Sequence, residues 1–391
     1  MLFLNSILSF INQENKKAVI KMRIVVDIDG TLTRIKYPYE KYLGLKPYKK
    51  FVSWLTKMKK EGHTIIVYSS RGMRTYDGNI GRITANYGPD ILNWLKKNNI
   101  PCDELYFGKP FCDIIIDDQA ISFSHLDDMQ EKIRQTFPVF IITMAGEGKR
   151  FKEKGYTEPK FAILARGKPL FYWSLKSLPL DTAQKIIFVC LERYKSILQK
   201  LVLKIMKDLG YNNTFIKNKI SFVYLKYTTK GQAITALKAK PLLVASGLYQ
   251  NTPIVIYNID TSFVSTRLSQ RLLTFAKQGY IGLMGLFFSE KENLSFAKIR
   301  GDLIIETAEK KKISKFASTG LYAFKSMKLF EEAVRTVGDD ITQEYGELYI
   351  APLYNYLIKK YKYVTYDVCE KAFLLGTPSE VEEFNKGDIP E

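Results

Sequence analysis

A chain of 391 residues, 46% hydrophobic and 25% charged, can bury a sizeable core and has length for two to three domains. Its 59 Lys+Arg against 40 Asp+Glu leave a net charge of +19, which implies acidic partners: nucleotides, sugar phosphates, nucleic acid or an anionic membrane surface. Cys102, Cys112, Cys190 and Cys369 show no CxxC spacing and the histidines are only two, so a zinc site, a disulfide framework and histidine catalysis drop out and a reducing cytoplasm is expected.

The chain opens with MLFLNSILSFI, an apolar run with no basic residue before it and no small-residue cleavage site after it. It is too short to span a bilayer. A docking segment or amphipathic helix is one reading, with peripheral membrane contact left open; a start upstream of Met22 is the other. Residues 1–21 are set aside as an extension.

From Met22 apolar strands alternate with amphipathic helices: RIVVDID, HTIIVYSS and DIIIDD as strands, with KPYKKFVSWLTKMKKEG and ITANYGPDILNWLKKNN as helices. This predicts a parallel sheet with its chemistry at the strand carboxyl ends. Asp27 and Asp29 stand two apart at one such end and share a face if the strand continues. Two like charges so placed repel unless a cation compensates, and the pair therefore points to a metal. Ser69, Lys109 and the pair Asp117, Asp118 also fall at strand ends or loops. Asp27 could attack a phosphoryl group, Asp29 could protonate the leaving alcohol and then activate water, and Mg²⁺ could sit among Asp27, Asp29, Asp117 and Asp118. Ser69 and Lys109 would hold phosphate oxygens, as would the backbone N–H groups of Gly30 and Thr31. A lone DxD is more often a solvated turn; the ordered set DIDGT, SS, GKP, DD is far more specific.

That set resembles the haloacid dehalogenase (HAD) superfamily over residues 22–125. YPYEKYLGLKP, the lack of a cap-sized insertion, and ITANYGPDILNWL before FGKP are similar to its capsule-biosynthesis phosphatase branch. The resemblance implies an uncapped, Mg²⁺-dependent phosphatase that works through an aspartyl-phosphate.

After the helix-like DDMQEKIRQTF, a boundary at 136–138 leads into VFIITMAGEGKRF. The loop holding Ala145, Gly146, Gly148, Lys149 and Arg150 can wrap a triphosphate with backbone N–H groups while the two cations neutralise it. GxG alone is commonly a tight turn. GYTEPKFAILARGKP follows, with Lys160 placed to stabilise charge on an α-phosphate. Strands then recur in KIIFVCL, ISFVYLKY, PIVIYNID, GLMGLFF and ASTGLYAF.

MAGEGKRF, GYTEPK and GKP together resemble the sugar-nucleotide pyrophosphorylase, or nucleotidyltransferase, family, over about residues 138–386. That likeness implies Gly231 and Gln232 of KGQAITALKA against the base, Asp260 of VIYNIDT on a Mg²⁺, and Thr319, Gly320 and Glu347 around a phosphorylated acceptor. Many members carry an aspartate where this chain has Leu374, so a second ligand would have to come from elsewhere, with Asp367 and Glu347 as candidates. The 25 tyrosines and 24 phenylalanines read as core, Lys310–Lys312 as a solvated loop, and His63 and His125 as structural.

The expected architecture is α/β with two Rossmann-like domains: an uncapped HAD-like parallel-sheet phosphatase over 22–136, then a glycosyltransferase-A type nucleotidyltransferase over 137–391. The expected protein is a cytoplasmic bifunctional enzyme of capsule or surface-polysaccharide precursor synthesis. It would use Mg²⁺ in both domains and take CTP or UTP, with a phosphorylated sugar, polyol or similar small molecule. Nucleic acid is not an expected partner, and homo-oligomer formation stays open. The competing readings are a phosphatase whose second domain only binds, and a nucleic-acid end-processing phosphatase.

Overall fold

The computed structural model describes residues 21–36, 41–110, 120, 121, 125–277 and 279–387. The expected strand DIIIDD, with Cys112, Asp117 and Asp118, lies outside the described residues, as do residues 1–20. The chain divides into two compact units, Ala18–Lys132 and Ile133–Glu391, a few residues earlier than the boundary expected from the sequence.

In the smaller unit β1 (Arg23–Val26), β2 (Thr64–Ser69) and β3 (Glu104–Phe107) form an all-parallel sheet in that order. The crossovers hold helices Lys49–Lys60 and Ile80–Lys97. The apolar spacing of each helix buries one stripe, Phe51 and Leu55 on the first and Ile83, Ile91, Trp94 and Leu95 on the second. Asn79 caps the second helix by accepting from the Arg82 N–H at 3.0 Å. Trp94 Nε1 donates to the Leu45 carbonyl at 2.8 Å, so its burial leaves no orphan donor. His63 is structural as expected: its Nδ1 accepts from the Met22 N–H at 3.1 Å, and burial pulls its pKa below the ordinary value.

The larger unit is built on one nine-stranded mixed sheet. Its strands are β4 (Val139–Met144), β7 (Lys185–Leu191), β8 (Ile220–Leu225), β9 (Ile254–Tyr257), β11 (Gly282–Phe288), β12 (Ser295–Arg300), β13 (Leu303–Glu309), β14 (Phe316–Phe324) and β15 (Val364–Val368). The order runs β13-β12-β14-β9-β4-β7-β8, with β11 pairing both β14 and β15. A small hairpin, β5 (Leu164–Ala165) with β6 (Lys168–Pro169), and the pair β10 (Thr261–Val264) with β16 (Lys371–Leu374) complete the strands.

Every residue of β4 is buried, and alternation splits it between two cores. Phe140, Ile142 and Met144 join one cluster, with Phe171, Phe188 and Tyr257; Val139 and Ile141 join the other, with Ile256, Phe330 and Tyr354. The sequence reading missed β12 and β13, whose Gly301-Asp302 connection is a short hairpin signal, and it missed β15 and β16. Among the described residues no helix is long and apolar enough to cross a membrane.

Candidate functional site

In the smaller unit β1 ends at Val26, so Asp27 and Asp29 lie in a turn and not on a continued strand. The N–H groups of Leu32 and Thr33 both donate to the Ile28 carbonyl at 3.0 Å, which winds the chain tightly. Gly30 takes φ +87° there and its N–H donates to the Thr33 carbonyl at 2.9 Å. Its expected place on a phosphate is therefore filled by the turn itself; the Thr31 N–H likewise donates to Ile28 at 3.4 Å.

The two carboxylates are compensated separately. Lys109 Nζ lies 2.6 Å from Asp27 Oδ2, and the Ile28 N–H donates to Asp27 Oδ1 at 2.8 Å. Arg71 grips Asp29 with Nε on Oδ2 and Nη2 on Oδ1, both at 2.7 Å. Both side-chain oxygens of Asp29, expected on a metal, are thus engaged by a cation the sequence reading overlooked. Ser69 is buried at the end of β2, and its Oγ accepts from the Arg71 N–H at 3.2 Å. The structure brings Lys109 to Asp27 and Arg71 to both Asp29 and Ser69; Asp117 and Asp118 lie outside the described residues. Among the described residues no three acidic, histidine or cysteine groups cluster as a metal cage. Asp27 too has both oxygens engaged, so a Mg²⁺ held there would have to take the place of Lys109 on Oδ2.

In the larger unit the parallel neighbours β4 and β9 pair Ile142 with Tyr257, so the segments leaving their carboxyl ends lie side by side. From β4 comes Ala145-Gly146-Glu147-Gly148, where Gly148 at φ +63° starts the helical turn Lys149–Lys152. Glu147 ties this loop down: it accepts from Lys152 at 2.6 Å and also from Arg193, and these two bonds, Lys152 foremost, hold its pKa below the usual carboxylate value. Lys149 and Arg150 are exposed beside it. From β9 comes Asn258-Ile259-Asp260, and Lys160 Nζ meets Asp260 Oδ1 at 2.8 Å. Lys160 also lies 5.4 Å over the Phe151 ring and 3.5 Å from the Gly376 carbonyl.

Thr261 pairs with Leu374 and the Leu375 N–H donates to the Asp260 carbonyl at 2.6 Å, so both residues the facing strand brings there carry alkyl side chains. Asp367 does not replace it. Its Oδ2 accepts from Ser265 Oγ at 2.7 Å, which puts it beyond the far end of β10, and burial raises its pKa. Glu347 belongs instead with Glu309 and Lys310, to which it is electrostatically coupled. Of the three carboxylates expected there, Asp260 is the one that stays beside Lys160, and with nucleotide phosphates it would make a normal Mg²⁺ donor set.

Gly231, at φ +120°, lies hard against the Leu348 backbone: a Cβ there would come within 2.6 Å of the Leu348 N and O. The close approach is sealed by the Leu348 N–H donating to the Lys230 carbonyl at 3.0 Å. Gln232 reaches back to Thr143 Oγ1 on β4 at 3.2 Å. Gly320, φ +81°, makes room in the same way for Asn258, whose side-chain amide would lie 2.6 Å from a Cβ. Thr319 is 1% exposed, with a hydroxyl that has no partner among the described residues and is turned toward Gly285, so it supports the strand bulge more than it lines an open surface.

Three residues that sequence reasoning missed stand out. Asn258 sits between Gly320 and Asp260. Glu309 is buried at the end of β13, where burial raises its pKa although Ser295 donates to it. Lys310, read earlier as solvated loop, is exposed but donates to Tyr349 Oη at 2.8 Å, a bond that raises its pKa. Glu347, Leu348 and Tyr349 therefore touch the Gly231 side and the Lys310 side at once.

A nucleoside-diphosphate-sugar pyrophosphorylase from Vibrio cholerae RC9 is similar at 32% identity and a TM-score of 0.53, over 63% of this chain and 100% of that one. The chain belongs to that pyrophosphorylase family. The matched share is one the larger unit can hold and the smaller cannot. Two further structures show the same pyrophosphorylase fold. A putative glucose-1-phosphate thymidylyltransferase from Bacillus anthracis matches at 18% identity and a TM-score of 0.51, over 64% of this chain and 97% of its own. A UDP-glucose pyrophosphorylase complexed with UDP-glucose matches at 16% and 0.51, over the same shares. No sequence-family model matches the chain, and no curated protein does.

Proposed function

We propose that the larger unit transfers a nucleoside monophosphate, from CTP or UTP, to a phosphorylated sugar, polyol or similar small acceptor, and that the smaller unit hydrolyses a phosphomonoester. The transfer reading is carried by the Lys160–Asp260 pair at 2.8 Å beside a glycine loop flanked by the exposed cations Lys149 and Arg150. The acceptor's phosphate oxygen attacks the α-phosphorus in line, the bond to the β-phosphate oxygen breaks, and pyrophosphate leaves. Lys149, Arg150 and the loop N–H groups hold the β- and γ-phosphates. Lys160 moves from Asp260 to the α-phosphate oxygens as charge builds there. Bound with the nucleotide at Asp260, Mg²⁺ would neutralise phosphate charge. Gln232 faces the base side, while Lys310 and Glu347 meet the acceptor.

In the smaller unit Asp27 attacks phosphorus once Lys109 turns to the phosphate, Asp29 gives a proton to the departing alcohol, and Ser69 steadies a phosphate oxygen. A place in capsule or surface-polysaccharide precursor synthesis follows from the capsule-branch resemblance together with a nucleotide-linked product.

Thermal unfolding with CTP, UTP, GTP, ATP and dTTP in turn, on Asp27→Asn, tests the transfer reading. A triphosphate at 100 times its dissociation constant adds about 2.7 kcal/mol. One triphosphate should stand out and release pyrophosphate with a sugar or polyol phosphate. Lys160→Met should lower that rate roughly 100- to 1,000-fold, the usual cost of losing one donor to developing charge. No stabilisation by any of the five would remove the transferase reading.

A further inference from the structure

Arg71 is built unlike a surface arginine. Its side chain is 1% exposed, and the carboxylate it grips, Asp29, is 23% exposed. Both carboxylate oxygens are taken, each at 2.7 Å, by two nitrogens of one rigid fork. The Tyr42 ring lies 4.2 Å beneath the guanidinium, and the third nitrogen, Nη1, is buried with no partner among the described residues. The same residue's backbone N–H donates to Ser69 Oγ. A buried guanidinium with an unsatisfied N–H is expensive to keep for folding alone, because an apolar residue of similar volume would avoid that desolvation.

Chemistry supplies the reason. The alkoxide of an alkyl phosphate is a poor leaving group and needs a proton as the P–O bond breaks, so the acid must be held in one place. A bidentate fork fixes both the plane and the rotamer of the Asp29 carboxyl. It uses one lone-pair direction on each oxygen and leaves another on which a proton can be carried.

We propose that Arg71 is the positioning residue of the general acid Asp29, and that this clamp fits the smaller site to unactivated alkyl phosphates such as sugar or polyol phosphates. The inference rests on the phosphatase reading of that unit. In the first step the Asp27 oxygen bonds to phosphorus, the P–O(alkyl) bond breaks, and the Asp29 proton passes to the leaving oxygen. In the second, water gives a proton back to Asp29, its oxygen bonds to phosphorus, and the bond to Asp27 breaks. Arg71 touches neither phosphorus nor alcohol; it holds the donor.

The test compares kcat/KM for glycerol 2-phosphate, whose alcohol needs the proton, with that for p-nitrophenyl phosphate, whose phenolate leaves without one. The full chain, Arg71→Lys, Arg71→Gln, Asp29→Asn and the double variant R71Q/D29N are measured with Mg²⁺, alongside thermal midpoints. Arg71→Gln should lower the glycerol ester by about 100-fold, the usual consequence of misplacing a reacting group. The aryl ester should fall at least tenfold less. Arg71→Lys, charged but without the fork, should show the same skew in smaller measure, and the double variant should be no worse on the glycerol ester than Asp29→Asn. Equal losses on both esters, or additive losses in the double variant, would overturn the inference. If Arg71→Gln does not fold, Arg71→Lys decides, and wild-type kinetics on both esters would overturn it. A wild-type chain that hydrolyses neither ester sinks the phosphatase reading itself, a different result from any of these.

Discussion

Replacing Gly231 by alanine would put a methyl carbon 2.6 Å from both the N and O of Leu348 and 2.9 Å from its carbonyl carbon. Backbone cannot rotate away as a flexible side chain can, so the Leu348 segment has to retreat by most of an ångström. The φ of +120° adds its own strain for any residue with a Cβ. Overpacking costs about 1–3 kcal/mol and the left-handed backbone roughly 1–2, together about 2–5 kcal/mol. For a unit of this size that is a fall in melting midpoint of about 4–20 °C. The retreat also carries Glu347 and Tyr349 away from Lys310, whose Nζ donates to Tyr349 Oη at 2.8 Å. Pyrophosphate release should therefore slow by about 100-fold in kcat/KM for nucleotide and acceptor alike. Differential scanning fluorimetry and a coupled pyrophosphate assay on Gly231→Ala would measure both. A midpoint unchanged within 1 °C with normal kinetics would refute the close-approach reasoning.

Glu309→Gln tests the buried carboxyl. Burial raises the Glu309 pKa above its ordinary 4.5, so the folded chain binds that proton more tightly than the unfolded one. Stability of the wild type relative to Glu309→Gln should be highest below pH 4.5, fall as pH rises through the raised value, and then level off, as read by urea titration across pH 4–8. Arg166→Ala removes the Nε bond to the Phe384 carbonyl at 2.5 Å and the guanidinium 4.8 Å over the Phe384 ring. The helix Pro378–Lys386 should loosen, with earlier proteolytic cleavage there. Transfer should slow as well, because Gly376 ahead of that helix accepts from Lys160 at 3.5 Å.

Legibility in the sequence followed how local each feature is. The loop proposed to hold a triphosphate needs only a buried strand, two glycines and a cation pair in succession, and all of these stand in VFIITMAGEGKRF. Asp27 and Asp29 were equally plain, yet their partners were not. Arg71 is two residues past Ser69 in YSSRG, but nothing in that string says its fork closes on Asp29, 42 positions earlier. An arginine directly after a buried strand was the available signal. Glu309 and Lys310 were hidden in AEKKK because burial of a single carboxyl depends on Ser295 and on the packing of β12 to β14. Their fate was decided by sheet pairing that no run of residues displays. Asp367 misled for the reverse reason: it is acidic and near the right element in sequence, but the strand carries it away from Asp260.

The pairing of β4 with β9 also bears on when the proposed nucleotide site comes into being. Thr143 Oγ1 donates to the Tyr257 carbonyl across 114 positions, so the glycine loop and Asp260 meet only after a long stretch of chain has been ordered between them. Loop closure of that kind is paid before any contact rewards it, and sheets assembled this way form slowly. If the proposed site is the one that binds, a nascent or partly folded chain consequently has no half-made triphosphate site to fill. A triphosphate that binds this site will act on the native population alone, holding it against unfolding without hastening its formation.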